Sequence, residues 1–214
     1  MASREAIGWL LQDSRIWQAG RASAAMAAEL PTGWPGLDQA LGGGWPLGQL
    51  TELLVEAHGT GEFTLLLPAL RRLVARTPDA GTAAGQVMLV APPYIPYAPA
   101  LAGAGLDPVR FLVVRSKQEV DTLWAMEQAL RSRSCAVVAG WADTAGKTSL
   151  RRLQLAAEPG NTWVLLFRAA RLRRTPSPAP LRIHFMRECA TGPARLHVLK
   201  RRGGPPAVAV ADIG

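Results

Sequence analysis

The chain has 214 residues, 49% of them hydrophobic, and a net charge of +8, which fits one globular domain with a substantial core. The sequence pI of about 10.7 favours polyanions such as nucleic acid as partners, although an Arg-rich proteome would give the same charge on an ordinary surface. No apolar run is long enough to cross a membrane, and the N-terminus lacks the layout of a signal peptide. We therefore expect a cytoplasmic protein that does not engage a membrane.

Residue types that ligate metals are few and scattered. His58, His184 and His197 are far apart in the sequence, and Cys135 and Cys189 do not have the spacing of a zinc site. We therefore expect no metal centre. In a cytoplasmic protein we also expect the two cysteines to be reduced and structural.

The chain begins with a predicted amphipathic helix over residues 3–19. Ile7, Leu10 and Leu11 share one face of this helix, and Trp17 follows at helical spacing. The Ala-rich stretch that follows predicts a linker. Because a linker separates the helix from the rest of the chain, we expect its apolar face to dock on a partner or on a second copy of the chain. Packing against its own domain is the alternative.

We divide the chain into this N-terminal helix with its linker, residues 1–30, and a core domain, residues 31–214. In the core domain, apolar runs alternate with helical patterns at first and are joined by turns later. This order predicts an α/β fold, in which helices flank a mostly parallel β-sheet that has an antiparallel edge. The predicted strands are residues 50–55, 87–91, 111–114, 136–139, 163–167, 181–186, 196–199 and 207–211.

One helix of the core domain carries local signals at its start. Ser116 and Glu119 have the spacing of a capping box, which predicts the helix N-terminus. Helical spacing then predicts a set of residues that face the core, namely Val120, Leu123, Trp124 and Leu130.

The turn after the first core strand has the context of a phosphate-binding P-loop without its residues. A P-loop needs a Lys that reaches the phosphates and a Ser or Thr hydroxyl for Mg²⁺. When the motif is aligned on Gly61, its first Gly position is Glu56, its Lys position is Glu62 and its hydroxyl position is Phe63, which Thr64 follows. A carboxylate and an aromatic ring thus replace the cation and the metal ligand. We therefore expect no nucleotide or other cofactor.

A basic segment follows the last parallel strand. Residues 168–180, which we call the Arg segment, lack an apolar period and contain Arg168, Arg171, Arg173 and Arg174. Arg182 lies in the strand that follows. These guanidinium groups are suited to DNA phosphates. An acidic protein partner, or a solvated segment that contacts nothing, remains an alternative.

The order of these features resembles a known family. PTGWPGLDQALGGGWPLGQLTELL resembles the region that leads into the P-loop strand of RecA-type recombinase cores. Four later segments resemble the ImuA family, the RecA-related and SulA-like proteins of bacterial damage-inducible mutagenesis operons. These segments are LVAPPYIPYAPAL, LDPVRFLVV, ALRSRSCAVVAGW and LRRLQLAAEPGNTWVLLFR. The resemblance covers about residues 30–200.

The resemblance implies a RecA-like core that lacks the parts that hydrolyse ATP. The P-loop Lys position is Glu62, the catalytic Glu position falls within Pro92–Pro93, and the Walker B Asp position is Ala139. Because three independent parts are absent, we expect a protein that is not an enzyme. Phe63 and Trp141 either fill the vacated pocket or are ordinary core aromatics.

The resemblance also implies a function and partners. ImuA proteins act in SOS-induced translesion DNA synthesis with ImuB, a Y-family-polymerase-like protein, and with an error-prone replicative-type polymerase. We therefore expect an adaptor or regulator that contacts these proteins, RecA and single-stranded DNA. In RecA-type folds the loop at the position of the Arg segment contacts DNA. Two alternatives stay open, namely a SulA-like inhibitor of cell division that binds FtsZ and a residual DNA-dependent ATPase.

Overall fold

A mixed β-sheet with helices on both faces organises the protein, for which the computed structural model describes residues 28–75, 85–187 and 192–212. The described strands of this sheet lie in the order β10-β9-β8-β3-β7-β6-β4-β5. The strands from β8 to β5 are parallel, whereas β9 and β10 are antiparallel to their neighbours. The predicted α/β fold with a mostly parallel sheet and an antiparallel edge is therefore confirmed. The strands are β3 (Leu50–Val55), β4 (Val87–Val90), β5 (Phe111–Val114), β6 (Val137–Trp141), β7 (Trp163–Ala169), β8 (Leu181–Met186), β9 (Ala194–Lys200) and β10 (Ala207–Ala211).

The described helices pack on both faces of the sheet. Helix α1 packs on β9 and β10, and α2 joins the apolar cluster on the same face. Helices α4 and α5 pack on each other and on the parallel strands from the opposite face. Within the described ranges, none of these helices is long and apolar enough to cross a membrane. Their bounds are α1 (Pro35–Leu41), α2 (Leu67–Val74), α3 (Ala98–Gly103), α4 (Glu119–Ser132) and α5 (Lys147–Ala157).

Strands β4, β6 and β7 are mostly apolar because both of their faces are buried. In β7, Trp163, Leu165 and Phe167 belong to the cluster under α1 and α2. Val164 and Leu166 belong to the cluster under α4 and α5. Successive side chains of a strand point to opposite faces of the sheet, and each large apolar side chain that is buried contributes roughly 1.5–3 kcal/mol. This burial explains why these strands were recognisable as continuous apolar runs.

The antiparallel edge buries one face and leaves the other open. Phe185 of β8 and Leu196 of β9 belong to the cluster under α1 and α2. On the opposite face of β10, Val208 is 65% exposed and Val210 is 55% exposed. The sheet therefore presents an open surface beside the Arg segment.

The start of α4 differs from its prediction. The residue before the helix makes no side-chain cap, so the predicted capping box is wrong. Ser116 Oγ instead lies 2.5 Å from Thr122 Oγ1. The Glu119 carboxylate accepts hydrogen bonds from the backbone N–H of Thr144 at 2.5 Å and from its hydroxyl at 2.6 Å. Glu119 thus ties α4 to the loop after β6.

The outer face of α4 also differs from its prediction. Leu130 is buried as predicted, together with Met126 and Ala129. Val120 and Trp124, in contrast, are 65% and 61% exposed. Because the helix packs on β6, β4 and α5 along one side only, the side that carries these two residues faces solvent.

The predicted N-terminal helix, with Ile7, Leu10, Leu11 and Trp17, lies outside the described residues, as does Cys189. The end of the predicted linker is described. Glu29–Leu30 forms strand β1, which pairs with β2 (Trp45–Pro46), and Leu30 is buried. Leu30 therefore packs with the core and Glu29 pairs with β2 as an exposed strand residue, whereas the sequence placed both in the linker.

Candidate functional site

The carboxyl ends of β3 and β7 form the centre of the candidate site. Strands β3 and β7 are neighbours in the sheet. From β3 the chain passes through α2 to β4, which lies beyond β7, whereas from β7 it passes to β8, which lies on the opposite side, beyond β3. Where connections diverge in this way, a crevice opens beyond the carboxyl ends of the strands, and ligands of α/β proteins bind there. The loop after β3 (residues 56–63, the β3 loop) and the Arg segment both begin at this edge.

The β3 loop carries an anion of its own. Glu62 is only 6% exposed, and its carboxylate accepts hydrogen bonds from the backbone N–H groups of Gly59 at 2.7 Å and Thr60 at 2.8 Å. Gly59 and Gly61 have φ angles of 82° and 102°, which glycine adopts without steric cost. Backbone N–H groups that converge in this way form a nest for an anion. In this protein the Glu62 carboxylate occupies the nest.

The β3 loop is also tied to β8. Glu56, at the first Gly position of the P-loop pattern, places its Oε1 atom 2.8 Å from His184 Nε2. Arg187, just after β8, donates a hydrogen bond from Nη1 to the carbonyl oxygen of Thr60 at 3.2 Å. The conformation of the loop therefore depends on a neighbouring strand as well as on its own glycines.

Aromatic residues pack beside this loop. Phe63 and Trp141 are both partly buried against the apolar cluster under α1 and α2. The ring of Trp141 stacks on Phe167, with centroids 4.6 Å apart and an angle of 6° between the planes. Thr64 opens the short 3-10 turn (Thr64–Leu66) that leads into α2. The predicted hydroxyl position, Phe63, and the strand end after the predicted Walker B position, Trp141, therefore carry rings that pack on the apolar core.

The predicted Walker B position lies in tightly packed apolar surroundings. Ala139 is 2% exposed and belongs to the same cluster. The next residue, Gly140, has no room for a side chain, because a Cβ atom there would lie 2.2 Å from the sulfur of Met126. A side chain at position 140 would therefore displace Met126.

A buried acid on β3 pairs with two of the predicted DNA-binding residues. Glu52 is fully buried, and its Oε1 atom accepts hydrogen bonds from Arg168 Nη1 at 2.8 Å and from Ser177 Oγ at 2.9 Å. Its Oε2 atom accepts a hydrogen bond from Arg182 Nε at 2.5 Å. The register explains the contact, because Glu52 lies directly opposite Arg182 in the parallel pair of β3 and β8.

The side chains of Arg168 and Arg182 are therefore buried and held by contacts within the fold. Arg168 is 3% exposed and Arg182 is 6% exposed. Arg168 Nη2 also donates to the carbonyl oxygens of Asp143 at 2.7 Å and Ala145 at 3.0 Å, and Arg182 Nη2 donates to that of Leu172 at 3.0 Å. Strand β7 extends through Ala169, so Arg168 belongs to the strand and not to a loop. This burial argues against direct contact of either guanidinium group with DNA.

The other three arginines of the segment are at the surface. Arg171, Arg173 and Arg174 lie in a 3-10 turn (Ala170–Arg174), and all three are exposed. Arg171 pairs with Asp143 across 2.7 Å, while its side chain stays 69% exposed. Asp143 also accepts a hydrogen bond from the backbone N–H of Ala169 at 2.6 Å. These contacts order the turn, and binding of DNA by its three arginines stays a prediction.

Neither metal-ligating residues nor the described cysteine add chemistry to the site. Among the residues that the structure describes, no group of three or more His, Cys, Asp or Glu could hold a metal ion. Burial raises the pKa of the Cys135 thiol above its ordinary value, and this effect outweighs the opposing hydrogen bond with Ser134. A buried thiol with a raised pKa has little thiolate at neutral pH and is a poor nucleophile.

Sequence reasoning missed three residues that organise the site, namely Glu52, Asp143 and Arg187. Glu52 carries a signal in retrospect, because a carboxylate inside the apolar run Leu50–Val55 needs a cationic partner when both faces of the strand are buried. Asp143 and Arg187 carry no such signal, since each lies in a polar loop sequence.

Comparison with known proteins finds similarity to proteins that are named ImuA. No family model matches the sequence. The chain is 33% identical over 145 residues to Protein ImuA of Caulobacter vibrioides strain NA1000 / CB15N, an alignment that covers 65% of this chain and 57% of that protein. Protein ImuA of strain ATCC 19089 / CIP 103742 / CB 15 gives the same values. The match thus spans little more than half the length of these relatives. This similarity bears out the resemblance of the motifs and supports the assignment of this chain to the ImuA family.

Proposed function

We propose that this chain is a non-catalytic, RecA-like accessory protein of damage-induced translesion DNA synthesis. It acts in the cytoplasm as an adaptor or regulator, together with an ImuB-like Y-family protein and an error-prone replicative-type polymerase. The similarity to ImuA supports this role. The single observation that carries the non-catalytic part is the Glu62 carboxylate in the nest of the β3 loop.

The RecA-like part of the proposal is supported by the arrangement around β3. This strand is central in the sheet, is parallel to both of its neighbours and is followed by a glycine-containing loop and a helix. A P-loop occurs in such a strand–loop–helix unit. We interpret the β3 loop as a degenerate P-loop in which an internal carboxylate stands where a phosphate would bind.

Electrostatics argue against nucleotide binding at this loop. A phosphate would have to displace Glu62 from the N–H groups of Gly59 and Thr60. The displaced carboxylate would then repel the phosphate by roughly 4 kcal/mol at 4 Å near a protein surface. Phe63 offers no oxygen to Mg²⁺ in compensation.

We therefore expect no heat of binding when Mg-ATP is titrated into the wild-type protein in a calorimeter, and no ATP turnover above that of the Glu62→Arg variant. Glu62→Gln serves as a matched control, because it keeps the shape of the side chain and removes its charge. Micromolar affinity of the wild type for Mg-ATP, or turnover that Glu62→Arg abolishes, would contradict the proposal.

The proposed partner contact is assigned to residues 1–28. The apolar face predicted there consists of Ile7, Leu10, Leu11 and Trp17. We expect the full chain to retain the ImuB-like protein encoded near it in a pull-down, and we expect deletion of residues 1–28 to lower this retention at least tenfold. The deletion leaves strand β1 (Glu29–Leu30) in place and removes from the described core only Ala28, whose carbonyl oxygen accepts a hydrogen bond from the backbone N–H of Leu47 at 2.8 Å.

One further variant and one added ligand make the result of this pull-down more specific. Leu10→Asp changes the predicted apolar face alone and is expected to act like the deletion. Adding single-stranded DNA tests whether DNA and partner bind together. Equal retention by the full chain, the deletion and Leu10→Asp would assign the contact to another surface.

A further inference from the structure

A cleft opens where the Arg segment meets the open face of the sheet. Its volume is about 530 Å³, within the usual range of small-ligand sites. Arg173 and Arg174 form one wall. The remaining lining residues are Glu56, His184, Met186, His197 and Leu199.

The pairing of β8 with β9 brings two histidine rings into this cleft. His184 and His197 lie opposite each other in the antiparallel pair, and their ring centroids are 6.2 Å apart at an angle of 84°. His184 is 5% exposed and is held by Glu56. His197 is only half-buried. Because His197 lines the cleft and is only half-buried, part of its ring is accessible to a stacking partner.

The floor beside His197 is apolar and its rim is cationic. Met186 and Leu199 are half-buried and lie on the same face of the sheet as His197. Arg195, two residues before His197, is exposed on that face as well. Among the described lining residues, Arg173 and Arg174 carry positive charge and Glu56 carries a carboxylate. Arg195 adds a third positive charge on the same face of the sheet.

We propose that this cleft binds a base of single-stranded nucleic acid, stacked on His197 and lying over Met186 and Leu199, while Arg173 and Arg174 hold the neighbouring phosphates. The inference rests on the proposed contact of the Arg segment with single-stranded DNA and extends it from phosphates to a base. A cationic groove with an aromatic ring is how proteins bind single strands without reading their sequence, and histidine is one of the rings on which bases stack. An acidic peptide would use the same arginines without needing the ring.

The test compares two fluorescein-labelled oligonucleotides by fluorescence anisotropy at one low salt concentration. One is oligothymidine of about 16 nucleotides, and the other is an abasic strand of the same length with the same number of phosphates. We expect the wild-type protein to bind oligothymidine at least about fivefold more tightly. His197→Ala should remove this preference, whereas His197→Phe, which keeps a ring, should retain it. Trp124→Ala, which removes an exposed ring on α4, should leave it unchanged.

The outcomes separate this inference from the proposal on which it rests. Equal binding of both strands by the wild type would overturn the base cleft and leave the phosphate contact standing. Binding of neither strand would overturn both. A preference that survives in His197→Ala, or displacement of oligothymidine by polyglutamate as readily as by unlabelled oligothymidine, would also overturn it. If His197→Ala lowers the melting temperature, its affinities are not used. The relative affinity of the wild-type protein for oligothymidine and for the abasic strand then tests the proposal by itself.

Discussion

Replacement of Glu52 with Ala is expected to lower the free energy of unfolding by about 3–5 kcal/mol, because it removes one side of a buried ion network. Glu52 is fully buried between Arg168 and Arg182, and both of these arginines are nearly buried. Without the carboxylate, two guanidinium groups would stay in a region of low dielectric with backbone carbonyls as their remaining acceptors. Urea denaturation followed by circular dichroism measures the change.

Two controls distinguish the network from ordinary loss of a carboxylate. Glu158→Ala removes an exposed carboxylate that accepts a hydrogen bond from Gln154, and we expect it to change the stability by less than about 1 kcal/mol. A triple variant in which Glu52, Arg168 and Arg182 become Leu, Met and Leu should recover most of the stability, since an apolar replacement of a whole buried network is often neutral. A small effect of Glu52→Ala, comparable to that of Glu158→Ala, would contradict the assigned role.

The triple variant also bears on the DNA contact. If Arg168 and Arg182 act only within the fold, this variant should bind single-stranded DNA as the wild type does, provided that it is folded. The exposed arginines of the segment would then account for all of the attraction to phosphate. Loss of binding in a folded triple variant would show that the network positions the Arg segment.

The strands were predictable as short, mostly apolar runs, whether both of their faces are buried, as in β3, or one face is exposed, as in β10. Residues 50–55, 111–114 and 207–211 were predicted as strands, and the structure gives β3, β5 and β10 these same bounds. Helix α3, in contrast, is not among the predicted elements, because the prolines between residues 92 and 99 are typical of an extended loop. Pro99 lies in the first turn of α3, where the missing N–H group costs no helical hydrogen bond.

The contacts of the site were less predictable, because they depend on which strands become neighbours. Glu52 meets Arg168 and Arg182 only since β3 lies between β7 and β8, an order that local patterns do not specify. The spacing of the β3 loop identified Glu62 as an anion at the Lys position. Its bonds to Gly59 and Thr60 depend on the left-handed backbone of the loop, which a sequence pattern alone does not fix.

Neutralising Arg171, Arg173 and Arg174 together is expected to flatten the salt dependence of single-stranded DNA binding. Each phosphate contact on a single strand contributes about 0.7 to the slope of log affinity against log salt concentration. Three lost contacts would thus lower the slope by about 2. The loss is expected to fall somewhat below this value, because Arg171 also pairs with Asp143 and is partly neutralised before DNA binds.

A salt series followed by fluorescence anisotropy measures this slope for the triple Ala variant and for a matched control. In the control, Arg72, Arg115 and Arg151 become Ala, which removes the same charge from exposed positions on α2, after β5 and on α5. The control should keep the wild-type slope, because long-range attraction by these side chains is screened beyond about 10 Å at 0.1 M salt. If the control flattens the slope and the Arg segment variant does not, the DNA contact lies on another basic face. If the Arg segment variant keeps DNA binding but loses a protein partner, its arginines dock an acidic protein, and the proposed nucleic acid contact of this segment is wrong.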